Sequence, residues 1–258
     1  MSGTDIFSLA GRNVLVTGGG RGLGKAMALG LARYGANVAL MDINLDTAQQ
    51  SAREIETLGV QSLALRGDVT KEDDGERVVQ AIIDAWGNLD ALVNNAGISI
   101  QAPAEETPLA EFKRVYEIDV YGTFILAKAA FRPMARQRHG SIINIASICG
   151  LTVLVPQPQV AYNSAKAAVI MLTKTLAAEW ARYGIRVNAI APGYMLTPPV
   201  VKMKEDDTQR YEYWMSLTPM GRAGEPSELE GAAIYLASDA SSYMTGNVLV
   251  IDGGYTCS

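Results

Sequence analysis

The sequence contains one histidine and two cysteines, which excludes several kinds of active site. His139 lies in a polar turn and is interpreted as structural, while Cys149 and Cys257 form no motif. Because there is no cluster of Cys and His ligands, no metal site is predicted. Acyl transfer lacks its base as well, since the chain has no G-x-S-x-G elbow and no second histidine. So few cysteines are typical of a protein in the reducing cytosol.

Long runs of one kind of side chain are also missing. Lys and Arg total 22 against 27 Asp and Glu, a net charge of −5, and no basic run exceeds RQRHG at 136–140. We therefore expect neither nucleic acid nor an anionic membrane as a partner. No apolar run approaches the ~20 residues of a membrane span. The N-terminal MSGTDIFSLAGRN lacks the basic region and apolar core of a signal peptide, and we expect a cytoplasmic protein.

What the sequence does contain is enough apolar material for a substantial core. Hydrophobic residues make up 48% of the 258 residues, and charged residues only 19%. The charged share is below the usual quarter, as expected where outer helix faces are buried in an oligomer. There is no repeat, low-complexity tract or linker. The chain is interpreted as one domain over residues 1–258, with a substrate lid at about 195–217.

Short β-branched runs alternate with longer helical ones, which indicates repeated βαβ units. The predicted strands are 13–17, 37–42, 62–68, 89–94, 141–146, 185–191 and 247–252. The predicted helices are 23–34, 45–58, 72–86, 108–135, 162–182, 208–215 and 226–237, the fourth beginning with a Thr107 cap and Pro108. Several strands are nearly continuously apolar, as in a parallel sheet covered on both faces. The predicted fold class is α/β: a single doubly wound Rossmann domain with a seven-stranded, mostly parallel sheet, whose crevice lies at the carboxyl ends of the strands.

A glycine-rich loop follows the first predicted strand. The stretch TGGGRGLG, residues 17–24, leads directly into a helix, so its backbone could approach a pyrophosphate at the helix N-terminus. Asp42 ends the second strand, where a carboxylate would accept hydrogen bonds from the adenosine ribose and repel a 2′-phosphate. This favours NAD, although Arg21 in the loop could support the phosphate of NADP. The structural alternatives are a plain turn for the loop and a strand-end cap for Asp42.

Two further strand ends carry small or polar residues. Asp68-Val69 follows the third strand, where the carboxylate could accept the adenine amino group; the alternative is a helix N-cap in DVTKED. The segment Asn94-Asn95-Ala96-Gly97 follows the fourth strand and would let the backbone pass close to the nicotinamide ribose. Its alternative is a hydrogen-bonded turn.

Tyr162 and Lys166 are four residues apart and share one face of a predicted helix. A free phenol has a pKa near ~10, and a neighbouring ammonium lowers it, so Tyr162 could act as a general acid or base. The alternative is an exposed Tyr/Lys pair on an amphipathic helix. Ser147 follows the strand SIINIA at the same end of the sheet and could hydrogen-bond a reacting oxygen, or it could simply cap a loop.

With these motifs together, the sequence resembles the short-chain dehydrogenase/reductase family from about residue 7 to the C-terminus. The residues that carry the resemblance are Thr17-Gly18-x-x-x-Gly22-Leu23-Gly24, Asp68-Val69, Asn94-Asn95-Ala96-Gly97, Ser147, Tyr162-x-x-x-Lys166, Ala191-Pro192-Gly193 and Asp252-Gly253-Gly254. The resemblance implies hydride transfer with NAD(H) or NADP(H) and, commonly, a homotetramer built partly on the long helices. It implies Tyr162 as acid/base, Ser147 polarising the substrate oxygen and Lys166 assisting.

The cofactor-binding residues follow from the loop, the strand ends and the resemblance. They are Gly18, Arg21, Gly22, Leu23, Gly24, Asp42, Asp68, Val69, Asn95, Tyr162, Lys166 and Met195. Met195 is included because it matches a family position whose backbone meets the nicotinamide carboxamide.

Asp119 departs from the family pattern. The family places an asparagine in the long helix, in a pattern like N-V-x-G, whereas this chain has IDVYG at 118–122. The resemblance implies a role for that residue's main-chain carbonyl, which holds a water leading to the lysine, so Asp119 is a fourth catalytic candidate. If its carboxylate lies near Lys166, it favours the ammonium. If it is buried without such a partner, it is costly and tends to protonate.

The segment VPQPQ at 155–159 resembles polyol and ketose members of the family. Gln157 and Gln159 could hydrogen-bond substrate hydroxyls, and the alternative is a polar turn set by two prolines. In the predicted lid, Lys202, Lys204 and Arg210 could meet the carboxylate of a sugar acid, or could pair with the acidic residues at 205–207.

The leading hypothesis is an NAD-dependent enzyme that interconverts a secondary alcohol and a ketone on a small polyol, ketose or sugar acid. One alternative is a 3-oxoacyl-(acyl-carrier-protein) reductase, which would need a basic docking surface. The other is a catalytically silent scaffold that binds the cofactor, with Asp119 as a sign of lost chemistry.

Overall fold

The computed structural model describes residues 6–257, which form one seven-stranded sheet with every neighbouring pair of strands parallel. The strands are β1 Asn13–Thr17, β2 Asn37–Asp42, β3 Ser62–Arg66, β4 Ala91–Asn94, β5 Gly140–Ile145, β6 Ile185–Pro192 and β7 Val248–Ile251. Their order in the sheet is β3-β2-β1-β4-β5-β6-β7. The order therefore reverses between β1 and β4, and a crevice opens at their carboxyl ends. The predicted Rossmann fold is confirmed.

The helices pack on both faces of this sheet. They are α1 Gly22–Arg33, α2 Leu45–Glu56, α3 Glu72–Trp86, α4 Leu109–Tyr116, α5 Gly122–Gln137, α6 Val160–Trp180, α7 Pro198–Asp206, α8 Thr208–Ser216 and α9 Glu230–Ala237. Strand β1 shows how the chain builds two cores. Val14 and Val16 point into the cluster that contains residues of α1 and α9, whereas Leu15 points into the cluster with α3 and α5. Alternate side chains of a strand face opposite sides, so one apolar run serves both layers.

The long helix predicted over 108–135 differs from the prediction in two ways. A π-helical turn, Glu117–Tyr121, separates α4 from α5. The N-cap position is Pro108 rather than Thr107, and the Thr107 hydroxyl instead donates to the Pro103 carbonyl at 2.9 Å. The cap is therefore wrong by one residue, because the hydroxyl is used by the preceding 3₁₀ turn, Ala104–Glu106.

Other boundaries shift modestly. Helix α6 begins at Val160, two residues before the predicted start. The predicted helix over 226–237 opens as a 3₁₀ turn, Pro226–Leu229, before α9. Helix α7 was not predicted; it lies in the predicted lid, and its Pro198 and Pro199 occupy the first turn, where proline is tolerated. In residues 6–257, no helix has the length and apolar character needed to cross a bilayer.

Candidate active site

The loops after β1 and β4 are tied together at the point where the strand order reverses. The Thr17 hydroxyl accepts hydrogen bonds from the backbone N–H groups of Asn95 (3.0 Å) and Ala96 (3.1 Å). The Asn95 side chain donates back to the carbonyls of Thr17 and Gly18, at 3.0 and 3.2 Å. Asn95 therefore fixes the shape of the glycine loop, which is a structural role within the predicted cofactor site.

The glycine loop has the conformation that a dinucleotide requires. Gly18 (φ 61°) and Gly22 (φ 58°) lie in the left-handed region, which glycine adopts without strain. A Cβ atom on Gly24 would collide with the Gly18 carbonyl oxygen. Helix α1 begins here with Arg21 as its N-cap, and no side chain caps its first N–H groups. These donors are available for a pyrophosphate, so the loop fits the phosphates of NAD or NADP.

The side chains in and next to the glycine loop differ in their exposure and in their hydrogen bonds. Leu23 packs against the core, while the Arg21 side chain is exposed. Asp42 lies at the end of β2 beside the loop: one carboxylate oxygen accepts from the Gly20 N–H at 3.0 Å, and the other from the Asn44 N–H at 3.0 Å. The half-buried carboxylate therefore lies at the rim of the crevice, at the place where an adenosine ribose would meet it.

Asp68 and Val69 follow β3, as predicted, and both have structural contacts. The Asp68 carboxylate accepts from the N–H and hydroxyl of Thr70, at 2.9 and 2.8 Å, so it forms a local turn before α3. Val69 packs against α5 at Gly122, where a Cβ atom would come within 2.8 Å of the valine side chain. The N-cap of α3 is Lys71, so Asp68 is not the helix cap that was its structural alternative, and its contact with the adenine stays a prediction.

Ser147, Tyr162 and Lys166 converge at the carboxyl end of β5. Ser147 is buried directly after the strand, and its hydroxyl accepts from the Cys149 N–H at 3.1 Å. Tyr162 packs beside Cys149, and the Lys166 Nζ lies 5.5 Å from the centre of the tyrosine ring. The two side chains share a face of α6, as their spacing requires.

The pKa of Tyr162 moves in the direction opposite to the prediction. Burial of the phenol raises its pKa above 10.0, and this effect exceeds the lowering by the Lys166 ammonium and by a hydrogen bond with Ser147. The expectation of a net lowering by the ammonium was therefore wrong, because it left out the desolvation of the phenolate.

Asp119 forms a buried ion pair with Lys166. The distance from Lys166 Nζ to Asp119 Oδ2 is 3.1 Å, and the two side chains are 6% and 0% exposed. Lys166 also donates to the Ile145 carbonyl at 3.0 Å, and Asp119 Oδ1 accepts from the Ile98 N–H at 2.8 Å. Burial alone lowers the pKa of Lys166, but Asp119 and Tyr162 outweigh it, and the net pKa lies above 10.5. Of the two cases stated for Asp119, the structure has the paired one.

The π-helical turn of the long helix carries Asp119 to this position. Its side chain points at α6, while its main-chain carbonyl accepts the Thr123 hydroxyl at 2.7 Å. Such single π turns inside α-helices are frequent at functional sites. The sequence could not indicate this turn, since the helical pattern continues through it.

Gln157 has different contacts from those predicted. It is 5% exposed, its amide nitrogen donates to the Tyr194 hydroxyl at 2.6 Å, and its oxygen accepts from Trp214 Nε1 at 2.9 Å. Gln159 is also buried and donates to the Cys149 sulfur at 3.2 Å. Both polar ends of Gln157 thus hydrogen-bond aromatic residues, and its role as a ligand of substrate hydroxyls stays a prediction.

An aromatic wall, Tyr194, Trp214 and Tyr255, was missed by the sequence analysis. Tyr194 and Trp214 stack with their ring centres 4.3 Å apart, and Tyr255 meets Tyr194 edge-on at 5.8 Å. Tyr194 and Tyr255 belong to the same apolar cluster as Tyr162. The available signal was Tyr194, which directly follows Pro192-Gly193 at the carboxyl end of β6. Trp214 and Tyr255 join only through tertiary packing.

The predicted lid residues, 195–217, contain α7 and α8 and the bridge between Met195 and Gly224. Met195 is buried, and its carbonyl accepts from the Thr197 N–H at 2.7 Å. His139 lies apart from all of these residues: it contacts Arg12 at 2.6 Å, and burial lowers its pKa. Among the described residues, no group of three or more His, Cys, Asp or Glu side chains is arranged as metal ligands.

Comparison with known proteins gives the chain a family. A family model described as enoyl-(acyl carrier protein) reductase matches residues 18–256. A D-arabinitol 2-dehydrogenase (ribulose-forming) of Candida tropicalis is 39% identical, over 97% of this chain and 94% of the relative. The chain belongs to the short-chain dehydrogenase/reductase family. It is therefore an oxidoreductase that acts on CH–OH groups, as the motifs predicted.

Solved structures of short-chain dehydrogenases/reductases have the same fold. One from Mycobacterium marinum has a TM-score of 0.93 and 42% identity, covering 98% of this chain and 99% of its own. A gluconate 5-dehydrogenase from Burkholderia cenocepacia, in complex with NADP and tartrate, has a TM-score of 0.92 and 38% identity, with 98% of each chain covered. The family binds NAD or NADP, and the glycine loop after β1 has the form that these cofactors require.

Proposed function

We propose that this protein is an NAD-dependent dehydrogenase that interconverts a secondary alcohol and a ketone on a small polyol, ketose or sugar acid. The observation that carries the proposal is the convergence of Ser147, Tyr162 and the Lys166–Asp119 ion pair at the strand ends, beside the glycine loop. The arabinitol dehydrogenase and the gluconate dehydrogenase described above act on substrates of this kind.

The chain's own residues handle the proton in this scheme. When bound, the nicotinamide cofactor supplies or accepts the hydride. In the reduction, Tyr162 gives its phenolic proton to the ketone oxygen as the carbon gains hydride; in the oxidation, the tyrosine takes the hydroxyl proton back. Ser147 hydrogen-bonds the same oxygen and orients it. Lys166 stabilises the phenolate that forms during reduction, and Asp119 keeps the lysine charged.

The preference for NAD rests on Asp42. Its carboxylate lies at the end of β2 and would accept the two ribose hydroxyls of NAD, whereas a 2′-phosphate placed there would be repelled. The exposed Arg21 is the counter-argument, and the Burkholderia cenocepacia structure contains NADP. We favour NAD because the carboxylate is fixed by hydrogen bonds from Gly20 and Asn44, while the arginine side chain is exposed at the loop.

The experiment is a substrate panel with both cofactors. Polyols, ketoses and sugar acids are compared with a 3-oxoacyl thioester, for the wild type and for Tyr162→Phe. We expect turnover on the sugar panel, no turnover by the variant, and NADH binding by the variant close to the wild type. Turnover of the thioester alone would favour the acyl-carrier reductase. Tight cofactor binding without turnover of any compound would favour the scaffold.

The proposal includes a homotetramer in the cytoplasm. Tyr121, Phe124 and Met171 are 57%, 43% and 61% exposed on the long helices and the turn between α4 and α5. Exposed apolar side chains on long helices are what an interface between subunits would cover. The cytoplasmic location is supported by Cys149 and Cys257, which form no disulfide.

A further inference from the structure

Of the three cations in the α7–α8 segment, only Arg210 carries a buried side-chain donor without a hydrogen-bond partner. Lys202 forms an ion pair with Asp206 at 2.8 Å. Lys204 lies over the ring of Tyr211, 4.9 Å from its centre. Neither Lys204 nor Arg210 forms an ion pair with a carboxylate of residues 6–257. A guanidinium that is charged at all physiological pH values therefore lies here without a counterion.

The contacts of Arg210 are those of a group held in place but not neutralised. Its guanidinium lies 5.0 Å from the ring centre of Trp214, and one Nη donates to the side-chain oxygen of Gln101 at 2.7 Å. Its Nε is buried and has no hydrogen-bond partner. The Asp207 carboxylate is near in sequence but accepts from the Arg210 backbone N–H at 3.0 Å, as the cap of α8.

These contacts place Arg210 between the loop after β4 and helix α8. Gln101 belongs to the loop after β4, and Trp214 belongs to α8 and stacks on Tyr194. Tyr194 in turn packs in one cluster with Tyr162. Burial raises the pKa of Tyr194, and the positive charge of Arg210 opposes this rise. The guanidinium thus bridges the loop after β4 and helix α8, whose Trp214 stacks on the residue that follows the carboxyl end of β6.

We propose that Arg210 binds the carboxylate of the substrate, so that the preferred substrate is a sugar acid rather than a neutral polyol. This inference rests on the proposed function and narrows its substrate class. The Gln101 oxygen supplies one neutral acceptor to the guanidinium. A carboxylate in its place supplies two oxygens and a negative charge, which match the planar donors of arginine. The Trp214 ring, 5.0 Å from the guanidinium, helps to hold it in place through a cation–π contact.

The test compares one pair of substrates on three proteins. The substrates are D-gluconate and D-glucitol, which differ in a terminal carboxylate or hydroxymethyl group. The proteins are the wild type, Arg210→Gln and the control Lys204→Gln, which also removes one positive charge from this segment. We expect the wild type to prefer gluconate. Arg210→Gln should lose about 30-fold or more in kcat/KM for gluconate, mainly through KM, with little change for glucitol. Lys204→Gln should keep the wild-type selectivity.

Three results would overturn the inference. The first is a wild type that prefers the neutral alditol. The second is an Arg210→Gln protein that loses both activities in the same proportion. The third is a Lys204→Gln protein that changes selectivity as much as Arg210→Gln does, since bulk charge would then be responsible. Calorimetric binding of gluconate to the NADH-loaded wild type and Arg210→Gln repeats the comparison without turnover. Absence of turnover on every sugar would instead defeat the proposed function itself.

Discussion

The pair formed by Asp119 and Lys166 shows how one residue change alters a buried site. An asparagine at this position would offer no charge, whereas the aspartate lies 3.1 Å from the lysine ammonium with neither side chain exposed to solvent beyond 6%. Taking two charges out of water is expensive, and only their mutual attraction and hydrogen bonds compensate for it. The Ile98 N–H and the Ile145 carbonyl supply such bonds. Removing one partner leaves the other charge uncompensated.

Replacing Asp119 with Asn should therefore lower stability and shift the pH profile. We expect the free energy of unfolding to fall by about 3 kcal/mol, as for other broken buried pairs. Asp119 also raises the pKa of Tyr162, so at pH values where Lys166 stays charged without its partner, the acidic limb of kcat/KM for alcohol oxidation should move to lower pH in Asp119→Asn. Thr123→Val is the matched control, because it removes the hydrogen bond to the Asp119 carbonyl without changing charge. An unchanged pH profile in Asp119→Asn would contradict the assigned role.

The sign of the pH dependence of stability follows from the same pair. The pKa of Lys166 is higher in the folded protein than its ordinary value of 10.5. The charged lysine therefore contributes fully to the free energy of unfolding below pH 10.5, and this contribution is lost as the pH rises through the higher pKa of the folded state. Urea unfolding on either side of that pH should show a steeper alkaline loss for the wild type than for Asp119→Asn. Equal slopes would mean that the ion pair is not the source.

Asp42 is the residue that should separate the two cofactors. Its carboxylate faces the glycine loop and accepts from the Gly20 N–H at 3.0 Å. Asp42→Ala should weaken the affinity for NAD about tenfold, the equivalent of about 1.4 kcal/mol, because the acceptor for the ribose hydroxyls is lost. The variant should also reduce the difference between the affinities for NAD and NADP, because the carboxylate that repels the 2′-phosphate is lost. Fluorescence titration with NADH and with NADPH measures the two affinities. Asn44→Ala is a suitable control for damage to the same turn. An unchanged preference would show that Asp42 does not contact the ribose.

For single residues, the sequence indicated which side chains lie on one helix face better than it indicated their contacts with distant residues. The four-residue spacing of Tyr162 and Lys166 is local, so it was sufficient to place them on one helix face. The contact between Asp119 and Lys166 joins two helices that are distant in the chain, and only tertiary packing could select between its two stated cases. The same reason explains Gln157, whose amide is taken up by Tyr194 and Trp214. The net pKa of Tyr162 depends on burial, which spacing does not reveal.

At the scale of elements, the strands were predicted well because each is a short apolar run. Parallel strands covered on both faces need such runs, and the predicted β1 and β2 coincide with the observed ones. Helix α7 lies in the predicted lid and was missed, and the π-helical turn was missed because it continues a helical pattern. Segments that depend on unusual backbone geometry are thus the ones that pattern reasoning does not locate.

The buried amide of Gln157 joins α8 to the segment that follows β6. Gln157 bonds Tyr194 and Trp214 together, and in Gln157→Leu the buried Trp214 N–H would lose its acceptor. An unpaired buried donor costs about 1–3 kcal/mol. We expect Gln157→Leu to lower the free energy of unfolding by that amount and to raise KM more than it lowers kcat, since Trp214 then lies less firmly against Tyr194.

Chemical unfolding, steady-state kinetics and tryptophan fluorescence check this expectation. Gln209→Leu is the matched control, because it makes the same change at an exposed position of α8. If both variants behave alike, the effect comes from an added apolar side chain and not from the lost amide. If kcat falls while KM stays constant, Gln157 acts on the chemical step rather than on the position of the aromatic wall.

At the scale of the whole molecule, helices α5 and α6 keep large apolar side chains exposed, outside the two cores. Helices α5 and α6 both bury residues in the cluster beneath them, Leu126 and Leu176 among these, yet keep large apolar side chains on the outside. Phe124 is 43% exposed and Met171 is 61% exposed. A two-fold interface would place this region against its own copy, so each changed residue would count twice in every contact.

We expect the wild type to be a tetramer by size-exclusion chromatography with light scattering, and Phe124→Glu/Met171→Glu to be a dimer. Introducing carboxylates into an apolar two-fold interface costs their desolvation and sets like charges against each other, whereas the fold of each subunit does not depend on these side chains. Tyr243→Glu is the control: it adds the same charge at a side chain that is fully exposed in the region before β7. A monomeric wild type, or a tetramer that the double variant leaves intact, would show that this helix surface is not where the subunits meet.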